Sequence, residues 1–229
     1  MRKTLKRGIT AILHNPKVIT IARTLLRPFP SLEEQVRVYN YFLKKKLAVR
    51  ETIPSASYRK RIVATSAAPT KQLMIDISQL ALHDWRTGIQ RVVRGLLKEL
   101  LSQTDKGYNV RAVYADTSGQ IRYANKFTQK FLDETECSAE DPLIEIQSGD
   151  IFYCPDLHLS YPFTTLTALR QEGVRIIFTV YDIIGITRDH FFPRAYQLAF
   201  ADWFAGVLTV ADAIVCDSRA VADEVQDWL

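Results

Sequence analysis

Residues 73–101, LMIDISQLALHDWRTGIQRVVRGLLKELL, decide the fold. The run 73–78 is mostly apolar and closes on a small polar residue, as a buried strand does, and a loop then carries the chain to Thr87-Gly88. A helix follows. Ile89, Val92, Val93, Leu96, Leu97, Leu100 and Leu101 recur at helical spacing, while Arg91, Arg94, Lys98 and Glu99 take the other side. Thr87 and Gln90 have the spacing of a capping box, in which the hydroxyl accepts an orphan amide of the first turn and the glutamine reaches back. Strand, glycine-bearing loop and capped helix make the opening βα unit of an α/β domain, with Gly88 where a backbone can come close to a ligand. Such a helix start carries free N–H groups and partial positive charge, so it attracts phosphate or carboxylate. The same box also serves simply to begin a helix; Arg91 in the first turn favours the anion.

Outward from this unit the alternation continues. Runs 110–115, 151–154, 175–181 and 213–216 are short, apolar and rich in β-branched or aromatic residues, as buried parallel strands are. Helical patterns fall between them, over 162–171 with a stop at Gly173, over 193–210, and from Ser218 onward. Strands alternating with helices imply right-handed βαβ units, so the expected fold is a Rossmann-like, doubly wound parallel sheet over residues 71–229. Residues 117–149 are polar and read as loops around a helix near 125–133. The stretch WFAGVLTVADAIV reads as a core helix running into a core strand.

Residues 1–70 have a different character. They carry +12, against −7 for residues 71–229, within a total of +5. Their pattern is helical, with a capping box at Ser31-Leu32-Glu33-Glu34, and a Ser-, Ala- and Pro-rich linker places the boundary near Ala68. A basic helical arm on an acidic body seeks an anionic partner. It either packs as a solvated helical pair on a neighbour or lies on an anionic membrane surface. The body shows no basic stripe with interleaved aromatics, which argues against nucleic acid. Cys137, Cys154 and Cys216 lack any metal-ligand or CxxC spacing, as in a reducing cytoplasm, and no apolar run reaches bilayer length. The chain is therefore expected to be cytoplasmic, with peripheral attachment to the membrane's inner face as the arm's contribution.

In open parallel sheets ligands bind beyond the carboxyl ends of the strands. That rule selects Ser78 and the loop His83-Asp84-Trp85-Arg86-Thr87-Gly88 after the first strand, and Pro155-Asp156-Leu157-His158 after 151–154. It also selects Asp182 to Thr187 and Asp217-Ser218-Arg219 after the later strands. Each alone reads as a helix cap; four on one rim make a cleft. No GxGxxG, GxxxxGK[ST] or GxSxG occurs, and no acidic residue ends the second strand in the right context, so a nicotinamide enzyme, a P-loop enzyme and a serine hydrolase are disfavoured. The four histidines lack zinc spacing, and neither a metal nor a cofactor is implied.

Three blocks, DISQLALHDWRTGIQRVVRGLLKEL, FTVYDIIGITRDHFFP and VADAIVCDSRAVADEV, resemble consecutive blocks of bacterial group 1 glycosyltransferases, the retaining GT-B family. The resemblance covers residues 72–229 and implies the acceptor-side domain of an enzyme that moves a mannosyl- or glucosyl-class hexose from a nucleotide sugar to a growing cell-surface polysaccharide or lipopolysaccharide. It would give substrate-binding roles to Thr87, Gly88, Gln90, Arg91, Tyr181, Ser218 and Arg219, beside Asp156 from the strand-end rule, and a catalytic role to Asp182. The implied partners are a sugar or lipid-linked saccharide acceptor and, with a second domain, the nucleotide sugar. Two departures stand out. The donor-binding domain is expected to be absent, which would leave the chain inactive by itself, and Gly185 replaces the family's usual proline, which would loosen its loop. A non-catalytic Rossmann-like interaction module with a membrane-attaching arm is the competing expectation.

Overall fold

In a computed structural model the described residues are 58–60, 70–103, 107–132 and 140–229. The expected helical arm and the boundary near Ala68 lie outside them, as does Cys137.

The body is built on one six-stranded sheet with helices packed against it. Its strands in chain order are β2 (Lys71–Asp76), β3 (Tyr108–Ala115), β4 (Ile121–Tyr123), β6 (Ile151–Cys154), β7 (Arg175–Val180) and β8 (Ala213–Cys216). They lie in the order β4-β3-β2-β6-β7-β8, all parallel except β4, which runs antiparallel to β3. A separate parallel pair joins β1 (Arg59–Lys60) to β5 (Glu145–Ile146). Counted along the chain, the main sheet runs 3-2-1-4-5-6, the doubly wound order whose direction of growth reverses between its first and fourth strands. That reversal falls between β2 and β6, with Leu73 opposite Ile151 and Ile75 opposite Tyr153. A crevice is expected beyond their carboxyl ends.

The central strands are buried on both faces, so their sequences read as apolar runs rather than alternations. β2 buries Met74, Ile75 and Asp76 in succession, and β7 buries Phe178, Thr179 and Val180. Helix α2 (Gly88–Ser102) packs Val93 and Leu97 with Ile75, Ile77 and Leu80, joined by Ala112 and Ala124. An aromatic cluster holds the other part of the core. Phe178 meets Phe163 of α4 (Phe163–Gln171) and Trp203 of α6 (Arg194–Val210) at ring separations of 6.0 and 6.5 Å. The two helices can approach because Gly206 carries no side chain: a Cβ there would drive into the Phe163 ring.

Four features differ from the sequence reading. The loop between β2 and α2 contains a short helix, α1 (Ser78–Leu82). The polar region after β3 contains β4 as well as the expected helix, α3 (Asn125–Phe131). β4 is three residues long, too short for a periodic signal, and is set by a turn. There Asp116 accepts amides from Ser118 and Gln120 while Gly119 adopts φ +79°. Asp116 does stand at the end of the second strand, but its carboxylate is committed to that turn and to Arg122 Nε at 2.8 Å. β8 is half-exposed rather than buried, because it lies at the sheet edge under α7 (Arg219–Trp228), which buries Val225 alone. Finally, Gly185 sits buried in α5 (Ile184–Thr187), where a Cβ would stand 2.8 Å from the Phe200 ring. Glycine lets that loop pack tightly; it does not loosen it.

Candidate functional site

Buried polar groups are normally hydrogen-bonded, so those that are not mark places of interest. At the amino end of β2 the rule holds. Asp150 is fully buried and accepts amides from Gln72 and Gln147 at 2.8 and 2.9 Å, and the Gln72 side chain accepts from Tyr123 Oη at 2.8 Å. At the carboxyl end it fails. Asp76 Oδ2, the Tyr161 hydroxyl and His158 Nδ1 are buried without a hydrogen-bond partner, and all three belong to the switch point between β2 and β6.

The sequence builds this corner in steps. Asp76 is the last residue of β2; its Oδ1 accepts the backbone amide of Ser78 at 3.2 Å and the Ser78 hydroxyl. Ser78 Oγ in turn accepts from the Ala115 amide at 2.8 Å, tying the ends of β2 and β3. Opposite, Asp156 follows β6 and is also buried. One oxygen accepts the Leu80 amide and the other the Leu157 amide, both at 2.9 Å. Burial pushes the Asp76 carboxyl up to about 7, the nearby Asp156 charge adds to this, and the Ser78 bonds oppose it. Burial also raises Asp156, against its two amide bonds, and lowers His158. It lifts Cys154 and Tyr161 well above their usual ranges, so the thiol stays protonated and is no nucleophile.

The next corner lies beyond β7 and β8. The Tyr181 hydroxyl donates to the Pro155 carbonyl at 2.9 Å, fastening the β7 end to the β6 end, and burial raises its pKa. Asp182 is half-buried and accepts the Ile184 amide at 3.1 Å. Burial raises its carboxyl, and the charges of Glu224 and Asp217 raise it further. Glu224 is itself held by Thr187 Oγ1 at 3.0 Å. Asp76 and Asp182 are placed by one device. Each accepts the amide two residues on, and the intervening Ile77 and Ile183 share one backbone conformation, φ −125° ψ 26° and φ −124° ψ 24°. Ser218 caps α7 by accepting the Val221 amide, and Arg219 is exposed in its first turn.

The third corner is the start of α2. Both halves of the expected capping box form: Thr87 Oγ1 accepts the Gln90 amide at 3.2 Å, and Gln90 Oε1 accepts the Thr87 amide at 3.4 Å. Gln90 is buried and also donates to the His83 carbonyl at 2.6 Å. Between these anchors Arg86 adopts φ +54°, a left-handed conformation uncommon for a residue with a side chain. Trp85 is two-thirds exposed and stacks on His83. Arg91 is exposed. Gly88 has an ordinary backbone, and a Cβ built on it would meet nothing within 4 Å.

The nine residues given binding or catalytic roles follow the carboxyl ends of β2, β6, β7 and β8 in the chain; the Tyr181–Pro155 bond brings Tyr181 beside Asp156, and the Asp217 charge acts on both Tyr181 and Asp182. Asp76 and Tyr161 were not singled out. Asp76 reads as part of the strand, and nothing in a sequence marks a tyrosine as buried without a partner. Among the described residues no group of three or more His, Cys, Asp or Glu is arranged to hold a metal, and no helix is long and apolar enough to cross a membrane.

No family model matches the chain. Over 164 residues, 70% of its length, it is 35% identical to an Escherichia coli protein named serotype-specific mannosyltransferase WbdA, and it is 36% identical over the same length to a second protein of that name and organism. The matched segment makes up 19% and 20% of those proteins, so the chain spans about a fifth of the length of the curated relatives it matches.

Proposed function

We propose that residues 72–229 form the acceptor-side wall of a glycosyltransferase cleft, in the manner of group 1 GT-B enzymes, serving transfer of a mannosyl-class hexose from a nucleotide sugar to a cell-surface polysaccharide. The observation that carries this reading is the similarity to proteins named mannosyltransferases, on a chain whose polar residues gather where a doubly wound sheet binds ligands.

Roles follow from the geometry. At Gly88 neither backbone conformation nor packing requires glycine, so the empty space beside it suits a saccharide lying against the helix start. Thr87 and Gln90 hold that start in place, and Arg91 offers charge-assisted hydrogen bonds to acceptor hydroxyls. Asp182, raised by burial and by two neighbouring carboxylates, is suited to take a proton from an acceptor hydroxyl. Tyr181 precedes it in the chain, and Ser218 and Arg219 follow Asp217, whose charge acts on it, while Asp156, with both oxygens engaged by amides, positions α1. The donor's diphosphate needs cations and helix N-termini on the facing wall. The basic arm is assigned to an anionic membrane surface, near which such acceptors are assembled.

Saturation-transfer NMR with a mannose oligosaccharide tests acceptor binding, and nucleotide-sugar turnover tests transfer. Gly88→Val should lose acceptor binding and reduce turnover at least about 100-fold, since even a small misplacement of a bound acceptor costs that much. Its circular dichroism spectrum should be unchanged. Equal binding by variant and parent, or no binding of any hexose oligosaccharide, would sink the proposal.

A further inference from the structure

A second concavity, of about 490 Å³, opens between α1, β3 and α3, at the opposite end of α1 from Ser78 in sequence. Its floor is apolar, made by Ala81, Leu82 and the rings of Tyr114 and Phe127. Leu82 is 43% exposed, so the floor is uncovered, and Phe127 is steadied by stacking on Phe131 at 5.8 Å. The volume is within the range of small-molecule sites.

The rim is charged and unbalanced. Lys126 and Lys130 stand one turn apart on α3, both exposed, and neither has an ion-pair partner among the described residues. Like charges at this spacing repel unless an anion sits between them. Asp141, the acidic residue of the lining, is already engaged: Oδ1 accepts the Lys126 amide at 3.0 Å, and Oδ2 faces the Tyr114 hydroxyl at 3.4 Å. An apolar floor under two ammonium groups without an ion-pair partner among the described residues fits a ligand of matching polarity.

We propose that this concavity binds a small organic anion, an apolar body bearing one phosphate or carboxylate, with the anion between Lys126 and Lys130 and the body on Leu82 and Phe127. This proposal does not rest on the glycosyltransferase reading.

Hexyl phosphate is a suitable probe, followed by backbone amide shifts in the ¹⁵N-labelled chain. Saturable shifts are expected at residues 81, 82, 126, 127 and 130. The double variant Lys126→Ala, Lys130→Ala, exposed on the surface and so expected to fold, should weaken binding more than tenfold. Inorganic phosphate and hexanol should each bind more than tenfold more weakly than the probe. Shifts confined to other regions, unchanged affinity in the variant, or inorganic phosphate matching hexyl phosphate would each overturn the proposal. Lys126→Arg, Lys130→Arg, which keeps the charge, should restore binding; failure to do so would also count against it.

Discussion

Asp76 couples folding to pH. Burial favours its neutral form, so the folded chain holds this proton up to about pH 7, while an unfolded carboxyl releases it near 4. Its contribution to stability is therefore greatest in acid, is lost as pH rises from about 4 to about 7, and stays low above that. Asp76→Asn keeps the shape and the acceptor for Ser78 but carries no charge. It should stabilise the protein at pH 8 by up to about 4 kcal/mol, and hardly at all near pH 4.5. Urea unfolding at both pH values measures this; a variant destabilised equally at each would refute the coupling. A carboxyl kept buried at such a cost, with the Tyr161 hydroxyl beside it but outside good hydrogen-bond geometry, fits a functional corner better than a structural one. At this scale the sequence revealed the caps and little else. Thr87, Gln90 and Ser218 announce themselves by spacing, because capping is local. Asp76 and Tyr161 do not, because burial depends on residues far away in the chain.

Individual elements were legible wherever one packing face controls the pattern. Helix α2 begins at Gly88 as its capping box requires, and α4 and α6 keep the bounds their apolar residues set to within one residue. What stayed hidden was short or held by tertiary contact. α1 and α5 are a single turn or little more, fixed by Asp76, Asp156 and Asp182 rather than by propensity, and β4 is a three-residue hairpin arm. The α4–α6 contact offers a direct test. Gly206→Ala would ordinarily favour a helix, yet here its methyl meets Phe163. We expect a net loss of about 1–3 kcal/mol, the usual cost of overpacking. Phe163→Leu in the same background should recover part of it. A Gly206→Ala protein that melts above its parent would show that the two helices separate freely.

Across the whole molecule the charges are segregated: the first 70 residues carry +12 and the rest −7. If the arm attaches to anionic lipid as proposed, sedimentation with phosphatidylserine vesicles should fall steeply between about 50 and 500 mM salt, as the Debye length shrinks from roughly 14 to 4 Å. Neutral vesicles should bind little. Salt-insensitive sedimentation, or none, would instead favour packing of the arm on another protein. The body poses a different question, whether its crevice is formed before a ligand arrives. The segment His83 to Thr87 is held at one end by the Gln90 amide on the His83 carbonyl, and at the other by the reciprocal box. Arg86 lies between in its left-handed turn, and Asp84 is tied to Arg94 on the helix. A strap fixed at so many points cannot swing like a flap. The disorder it gives up is lost during folding, not on association, so capture of a saccharide should be a single diffusive step, with selectivity residing in how slowly the right sugar leaves.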